Sequence, residues 1–246
     1  MSIKHSALLL LLAPFMSNVV ASELSVGAGV IYNESPWRGY NENTHAVPIV
    51  NYEGDSFYIR QTTLGYALFK TPRDEVSLTA SWMPLTFDPS DNDDSAMKQL
   101  DKRHSTAMAG MAWYHHEKWG SLKLSAAADV LDNSDGWVGE LSWFRVLPVG
   151  KLSVIPAAGV YYYDDRFNRY YYGVSGAESR RSGLATWSPA ESWMPYVGLT
   201  VKYPLTRSLI LMANATYSVL PNEIKNSPMV DRDDSFTLLT GINWRF

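Results

Sequence analysis

His45, His104, His115 and His116, with the acidic run Asp88, Asp91, Asp93 and Asp94, are the residues that could do acid–base or metal chemistry. His104 and the acidic run bracket one predicted loop, as an outer-rim protease built on carboxylates and a histidine would need. A solvated loop is equally rich in Asp and Asn, and that is the reading taken. His115 and His116 adjoin a predicted turn between Trp113 and Trp119 and read as interface residues. Ser121 is available for a Ser–His pair, but nothing in the spacing selects it. Asp132-Asn133-Ser134-Asp135-Gly136 begins like a calcium loop but lacks the later ligands and the closing Glu of the EF-hand pattern. Its Asp-Gly end suits a hairpin turn, where Gly permits positive φ. The chain has no cysteine, so thiol chemistry and cysteine metal sites are excluded. No catalytic residue, metal site or cofactor is assigned.

Charges of a second kind lie within alternating segments. Arg60, Lys123, Asp129, Glu140, Lys202 and Arg245 fall on the polar side of an apolar/polar alternation. A charge facing lipid at mid-membrane costs roughly 2–4 kcal/mol, so these residues are expected to face a barrel lumen. Paired, they would plug a narrow lumen; unpaired, they would line a small pore. The residues leave both open.

The elements that must position them are strands. At the C-terminus Phe236, Leu238, Thr240, Ile242, Trp244 and Phe246 share one face, opposed by Thr237, Leu239, Gly241, Asn243 and Arg245. Period two is the mark of a strand with one apolar side. The pattern recurs at 76–82, 122–130, 197–203 and 209–219. A soluble sandwich alternates too, with its apolar face as core. Two features favour a membrane. Aromatics crowd the strand ends: Trp82, Trp113, Trp137, Trp143, Tyr161, Tyr162, Tyr163, Trp193, Tyr196, Trp244 and Phe246. Such rings form girdles at the headgroup level. The connections also alternate between tight (117–120, 148–151, 204–207) and long and polar (88–102, 164–192, 221–235), as periplasmic turns and outer loops do. The fold class expected is all-β, an antiparallel transmembrane β-barrel of the outer membrane.

Strand number turns on Phe57 to Phe69. With Arg60 inward, Phe57 and Ile59 face lipid, but Leu64, Tyr66 and Leu68 have the opposite phase. The phase flips near Gln61 to Thr63, through a β-bulge or because two strands meet there. Two strands give a barrel of twelve; if 24–32 does not span, the count is ten. Twelve is the reading taken. Pro84, Pro156 and Pro195 lie in or near strands and predict local irregularity.

Residues 1–22 run from Lys4 and His5 through an apolar stretch to small residues, the order of a secretory signal peptide. Cleavage is expected after Ala21 or Ser22, leaving one barrel domain over 23–246. A net charge of −4 disfavours a nucleic-acid partner. Outer-membrane lipid and lipopolysaccharide of a Gram-negative cell are the expected surroundings.

The blocks YYYGVSGAESRRSGL at 170–184, VLDNSDG at 130–136, VPIVNYEGDSFYIR at 47–60, LDKRHSTAMAG at 100–110 and SPMVDR at 227–232 resemble the MipA/OmpV family of outer-membrane proteins. The resemblance covers nearly the whole of 23–246. It implies an outer-membrane barrel and brings no catalytic residues. The namesake MipA, the MltA-interacting protein, is regarded as a scaffold joining a murein lytic transglycosylase to a penicillin-binding synthase, so the resemblance implies a non-enzymatic scaffold in peptidoglycan metabolism. Family transfers fold better than partner, and the short predicted periplasmic turns offer such partners little surface. Two alternatives stand beside it. One is a narrow solute channel using the charged lumen. The other is a surface receptor or adhesin acting through Tyr170, Tyr171, Tyr172, Arg180 and Arg181.

Overall fold

A computed structural model of the chain describes residues 23–40 and 44–246. The signal peptide expected over 1–22 lies outside the described residues. Twelve antiparallel strands close into a barrel. They are β1 (Glu23–Asn33), β2 (Thr44–Glu53), β3 (Phe57–Arg60), β4 (Thr63–Lys70), β5 (Asp74–Met83), β6 (Thr106–Glu117), β7 (Gly120–Asp129), β8 (Trp137–Phe144 with Leu147–Val149), β9 (Leu152–Tyr163), β10 (Ser192–Pro204), β11 (Leu209–Val219) and β12 (Asp234–Arg245). Each pairs with its sequence neighbour. β1 also pairs with β12 from Ser25↔Arg245 to Asn33↔Thr237, which closes the cylinder. Closure joins the first strand to the last, as a sheet that crosses a bilayer requires.

Side chains alternate as the sequence requires. In β7 Leu124 is exposed to the lipid side while Ser121 is buried. In β11 Met212, Asn214, Thr216 and Ser218 are buried and Leu211, Tyr217 and Val219 exposed. Strand β8 is interrupted at Arg145–Val146 because its neighbour there is Pro156, which has no N–H to give the ladder. The reverse bond, from Arg145 N–H to the Pro156 carbonyl, survives at 3.2 Å. Pro195 is paired in register with Val160 without a break.

The phase flip at Gln61–Thr63 is a hairpin turn, so β3 and β4 are separate strands. Gln61 adopts φ 58° at that turn. Tyr58 lies opposite Gly65 and packs its ring where a Gly65 Cβ would sit, 1.9 Å from the ring carbon Cζ. The aromatic fills the space the glycine leaves, a known device for a strand glycine. The hairpin is short: β2 meets β3 only from Asn51 to Glu53, with one further bond from Gln61 N–H to the Val50 carbonyl. Beyond it, among the described residues, no strand pairs with Thr44–Ile49 on that side. Pro48 stands in this stretch and brings no donor to be left unpaired.

The long outer connections are not simply polar. Segments 34–40, 84–105, 164–191 and 220–233 fold inward over one end of the barrel around an apolar core. Trp37, Leu85, Phe87, Met97, Phe167, Ile224 and Met229 are all fully buried there. This corrects the expectation of solvated loops: their surface is polar, but each contributes large apolar residues to a shared cap.

Candidate functional site

Two arrangements hold the polar residues: a charge network in the lumen and the folded cap. In the lumen the Arg60 guanidinium is shared between two carboxylates. Its Nε and Nη2 donate to Glu53 at 2.7 and 3.1 Å, and Nη1 and Nη2 donate to Glu75 at 3.0 and 3.1 Å. The cation also lies 3.7 Å above the Tyr58 ring centre and 5.1 Å from that of Tyr114. Strands β2, β3, β5 and β6 meet through this one side chain. On β7 and β8, Lys123 donates to Glu140, which also accepts from the Tyr196 hydroxyl at 2.7 Å. The rings of Tyr161 and Tyr196 stack at 4.9 Å beside it. These charges are ion-paired with one another across neighbouring strands on the inner side of the wall.

Of the other charges assigned to the lumen, Asp129 and Arg245 sit at strand ends. Asp129, at the outer end of β7, accepts from the Leu131 and Ser134 backbone N–H groups and from the Thr106 and Ser134 hydroxyls. It ties down the 130–136 turn, whose Asp132 and Asp135 have positive φ. Arg245 lies at the periplasmic rim, 3.4 Å from Glu23 and donating to the Arg207 carbonyl at 3.0 Å. Lys202 sits on the inward side of β10, two residues beyond the buried Thr200. The girdle also needs correction. Tyr162 and the tryptophans at 82, 113, 137, 193 and 244 are on the lipid side, but Tyr163 is buried inside and Tyr161 and Tyr196 face the lumen.

The cap is built by local signals. Helix α1 (Asp165–Tyr172) starts at Asp164, whose side chain accepts from Phe167 N–H, and it buries Phe167, Asn168, Tyr171 and Tyr172 on one face. Helix α2 (Gly176–Ser182) has a full capping box between Ser175 and Glu178 and ends at Gly183 in the left-handed region. Helix α3 (Asn222–Lys225) buries Ile224. Tyr171 and Tyr172 are 0% and 3% exposed, so they are structural and not surface contacts. Burial pushes both their hydroxyl pKa values up. Tyr170 is half-buried, and Arg180 and Arg181 remain exposed. Arg181 pairs with Asp101 and donates to the Gln99 carbonyl.

One buried ion pair crosses the cap. Arg103 donates to Glu178 at 2.6 Å and to the Gly173 carbonyl at 3.2 Å. Burial works to raise the Glu178 carboxyl pKa. The N–H groups of Ser175 and Asp101, with Arg103 alongside, outweigh it and hold the pKa below the ordinary value. The acidic run is structural as well. Asp88 pairs with Lys102 at 2.6 Å. That contact, helped by Ser90, brings its pKa to about 2 against the opposing effect of burial. Asp94 pairs with Arg38 at 3.0 Å, and Tyr40 donates to the Asp88 carbonyl. His104 enters through its backbone, its N–H donating to Tyr170 and its carbonyl accepting from Tyr171. Among the described residues no three His, Asp or Glu side chains converge as metal ligands. His116 and Ser121 are 2.9 Å apart (Nδ1 to Oγ) as cross-strand neighbours, a contact that the spacing alone did not select.

The family model of the MltA-interacting protein MipA matches residues 26–246. The outer membrane protein YiaT of Escherichia coli (strain K12) is 63% identical over 246 residues, covering 100% of both chains. The MltA-interacting protein of the same organism is 40% identical over 224 residues, 91% of this chain and 90% of that one. Among solved structures, the NanC porin matches 89% of this chain and 98% of its own at 9% identity and a TM-score of 0.46.

Proposed function

The chain belongs to the MltA-interacting protein (MipA) family of the Gram-negative outer membrane, and from that premise we propose that it is a non-enzymatic platform for murein-processing proteins, met on its periplasmic side. The observation that carries this reading is the cap. The outer mouth is filled by a packed apolar core around Trp37, Phe87 and Ile224, and the central lumen charges are ion-paired. Neither feature serves conduction, whereas the periplasmic rim stays free for a soluble partner. The relative at 40% identity bears the name of an MltA-interacting protein. That name suggests a murein transglycosylase as partner; the penicillin-binding synthase is a further partner implied by the family resemblance alone. Short turns leave Trp119 and Leu205 exposed at the rim, and partners of a flat surface anchor on such apolar groups.

Photo-crosslinkers placed at Trp119 and Leu205 in intact envelopes test this reading. Capture of a murein transglycosylase or synthase supports it. A barrel that captures neither, and co-purifies with neither in mild detergent, defeats it. The channel alternative is tested separately. The packed cap makes a silent barrel the expected result in planar-bilayer recording, and steady single-channel steps from the intact protein would favour the channel.

A further inference from the structure

We infer that the cap carries a binding site for a neutral oligosaccharide, in an outward-facing cleft between Arg103 and Trp187. The cleft encloses about 490 Å³, within the range of roughly 300–1,000 Å³ typical of small-ligand sites. Its floor is the buried Arg103–Glu178 pair and Val174, its walls are Tyr170 and Trp187, and Ser188 stands on its rim. The two rings are fixed before any ligand arrives. The Trp187 indole N–H donates to the Glu223 carbonyl at 2.9 Å, and Trp187 is bridged to Val174 in both directions. The Tyr170 hydroxyl accepts from His104 N–H at 2.8 Å. Fixed aromatic side chains with polar groups between them suit a pyranose ring, which offers an apolar C–H face and a hydroxyl edge.

Charge selects against ions. Each cation lining the cleft has a carboxylate: Arg103 has Glu178 and Arg169 has Asp165. Asp101 is taken by Arg181. The cleft therefore offers no uncommitted charge to an anion or a cation, while the guanidinium and carboxylate edges still donate and accept hydrogen bonds.

The site is separate from the periplasmic rim, so its test is independent of the platform role. The full barrel in nanodiscs is titrated calorimetrically with maltotetraose, cellotetraose and chitotetraose, and with a sulfated tetrasaccharide for comparison. Saturable binding of at least one neutral probe is expected, with the sulfated one weaker. Trp187→Ala is expected to weaken binding about tenfold or more, and Trp187→Phe by much less. Thr186→Trp changes an exposed lining residue, so it fills the cleft without touching the core and is expected to abolish binding. Heat-modifiable gel mobility reports that each variant is folded. Binding by none of the neutral probes, preference for the sulfated one, or undiminished affinity in folded Thr186→Trp overturns the inference.

Discussion

Arg60→Ala is the most informative perturbation of this barrel. The guanidinium makes two forked contacts, to Glu53 and to Glu75, at 2.7–3.1 Å. The side chains of Arg60, Glu53 and Glu75 are 13%, 15% and 6% exposed, so solvent screens them little. Removing the cation leaves two carboxylates facing one another inside the barrel. Breaking a buried pair by deleting one partner costs about 3–5 kcal/mol. The lost contact with the Tyr58 ring adds about 0.5–2 kcal/mol. We expect Arg60→Ala to lose about 3.5–7 kcal/mol in all. Arg60→Lys keeps the charge but not the forks and should fall between. If the loss is electrostatic, Glu53→Gln with Glu75→Gln in the Arg60→Ala background should recover much of it. The assay is equilibrium urea unfolding in lipid vesicles, followed by tryptophan fluorescence. A loss below about 1 kcal/mol, the size of an exposed pair, would refute the claim that this cation holds four strands together. A quadruple-strand contact that does not respond to the double Gln rescue would refute its electrostatic basis.

Other expectations follow from packing and charge. Gly65→Ala drives a Cβ into the Tyr58 ring and should destabilise the β3–β4 hairpin by about 1–3 kcal/mol, read in the same unfolding assay. Trp37→Ala removes a cap side chain only 1% exposed and should cost about 3–5 kcal/mol. Because that loss falls on the cap, protease should cut the outer loops of the variant in intact cells while the barrel keeps its heat-modifiable mobility. Asp88, lowered to about 2 beside Lys102, stabilises the cap above the ordinary carboxylate pKa and loses that contribution as pH falls from about 4 towards 2. Asp88→Asn should flatten this acid limb of loop protection, by less than about 1 kcal/mol because the pair is partly solvated. A limb that is unchanged in the variant would assign the acid sensitivity to other groups.

The strands were legible in the sequence because lipid and lumen act locally on each one. Every second residue of Leu209–Val219 or Phe236–Phe246 answers to hydrocarbon whatever its neighbours are, so period two appears in a single segment. The same rule exposed the reversal at Gln61–Thr63, where Leu64, Tyr66 and Leu68 change phase, and with it the twelfth strand. Arg60, Lys123 and Glu140 were legible as inward residues because the lipid side rejects charge. Their partners were not: Glu53 lies seven residues from Arg60 and Glu75 fifteen, and only register between strands brings the three together.

The tyrosines at 161, 163 and 196 read as interface residues from composition, although Tyr196 shares the parity of inward Lys202; for 161 and 163 alternation alone did not say which side of the wall was which. Only closure of the cylinder placed them inside and Tyr162 outside. The cap was the least legible feature. Trp37, Leu85, Phe87, Met97, Ile224 and Met229 come from three separate loops and obey no period. Each is an isolated apolar residue in a polar stretch until the closed barrel holds the loop ends over one mouth. Sequence alone thus determined what each strand shows to lipid, because solvation acts residue by residue. The tertiary structure alone decided which charges pair and that the outer connections share one apolar core, because those depend on distances that exist only after the strands have closed.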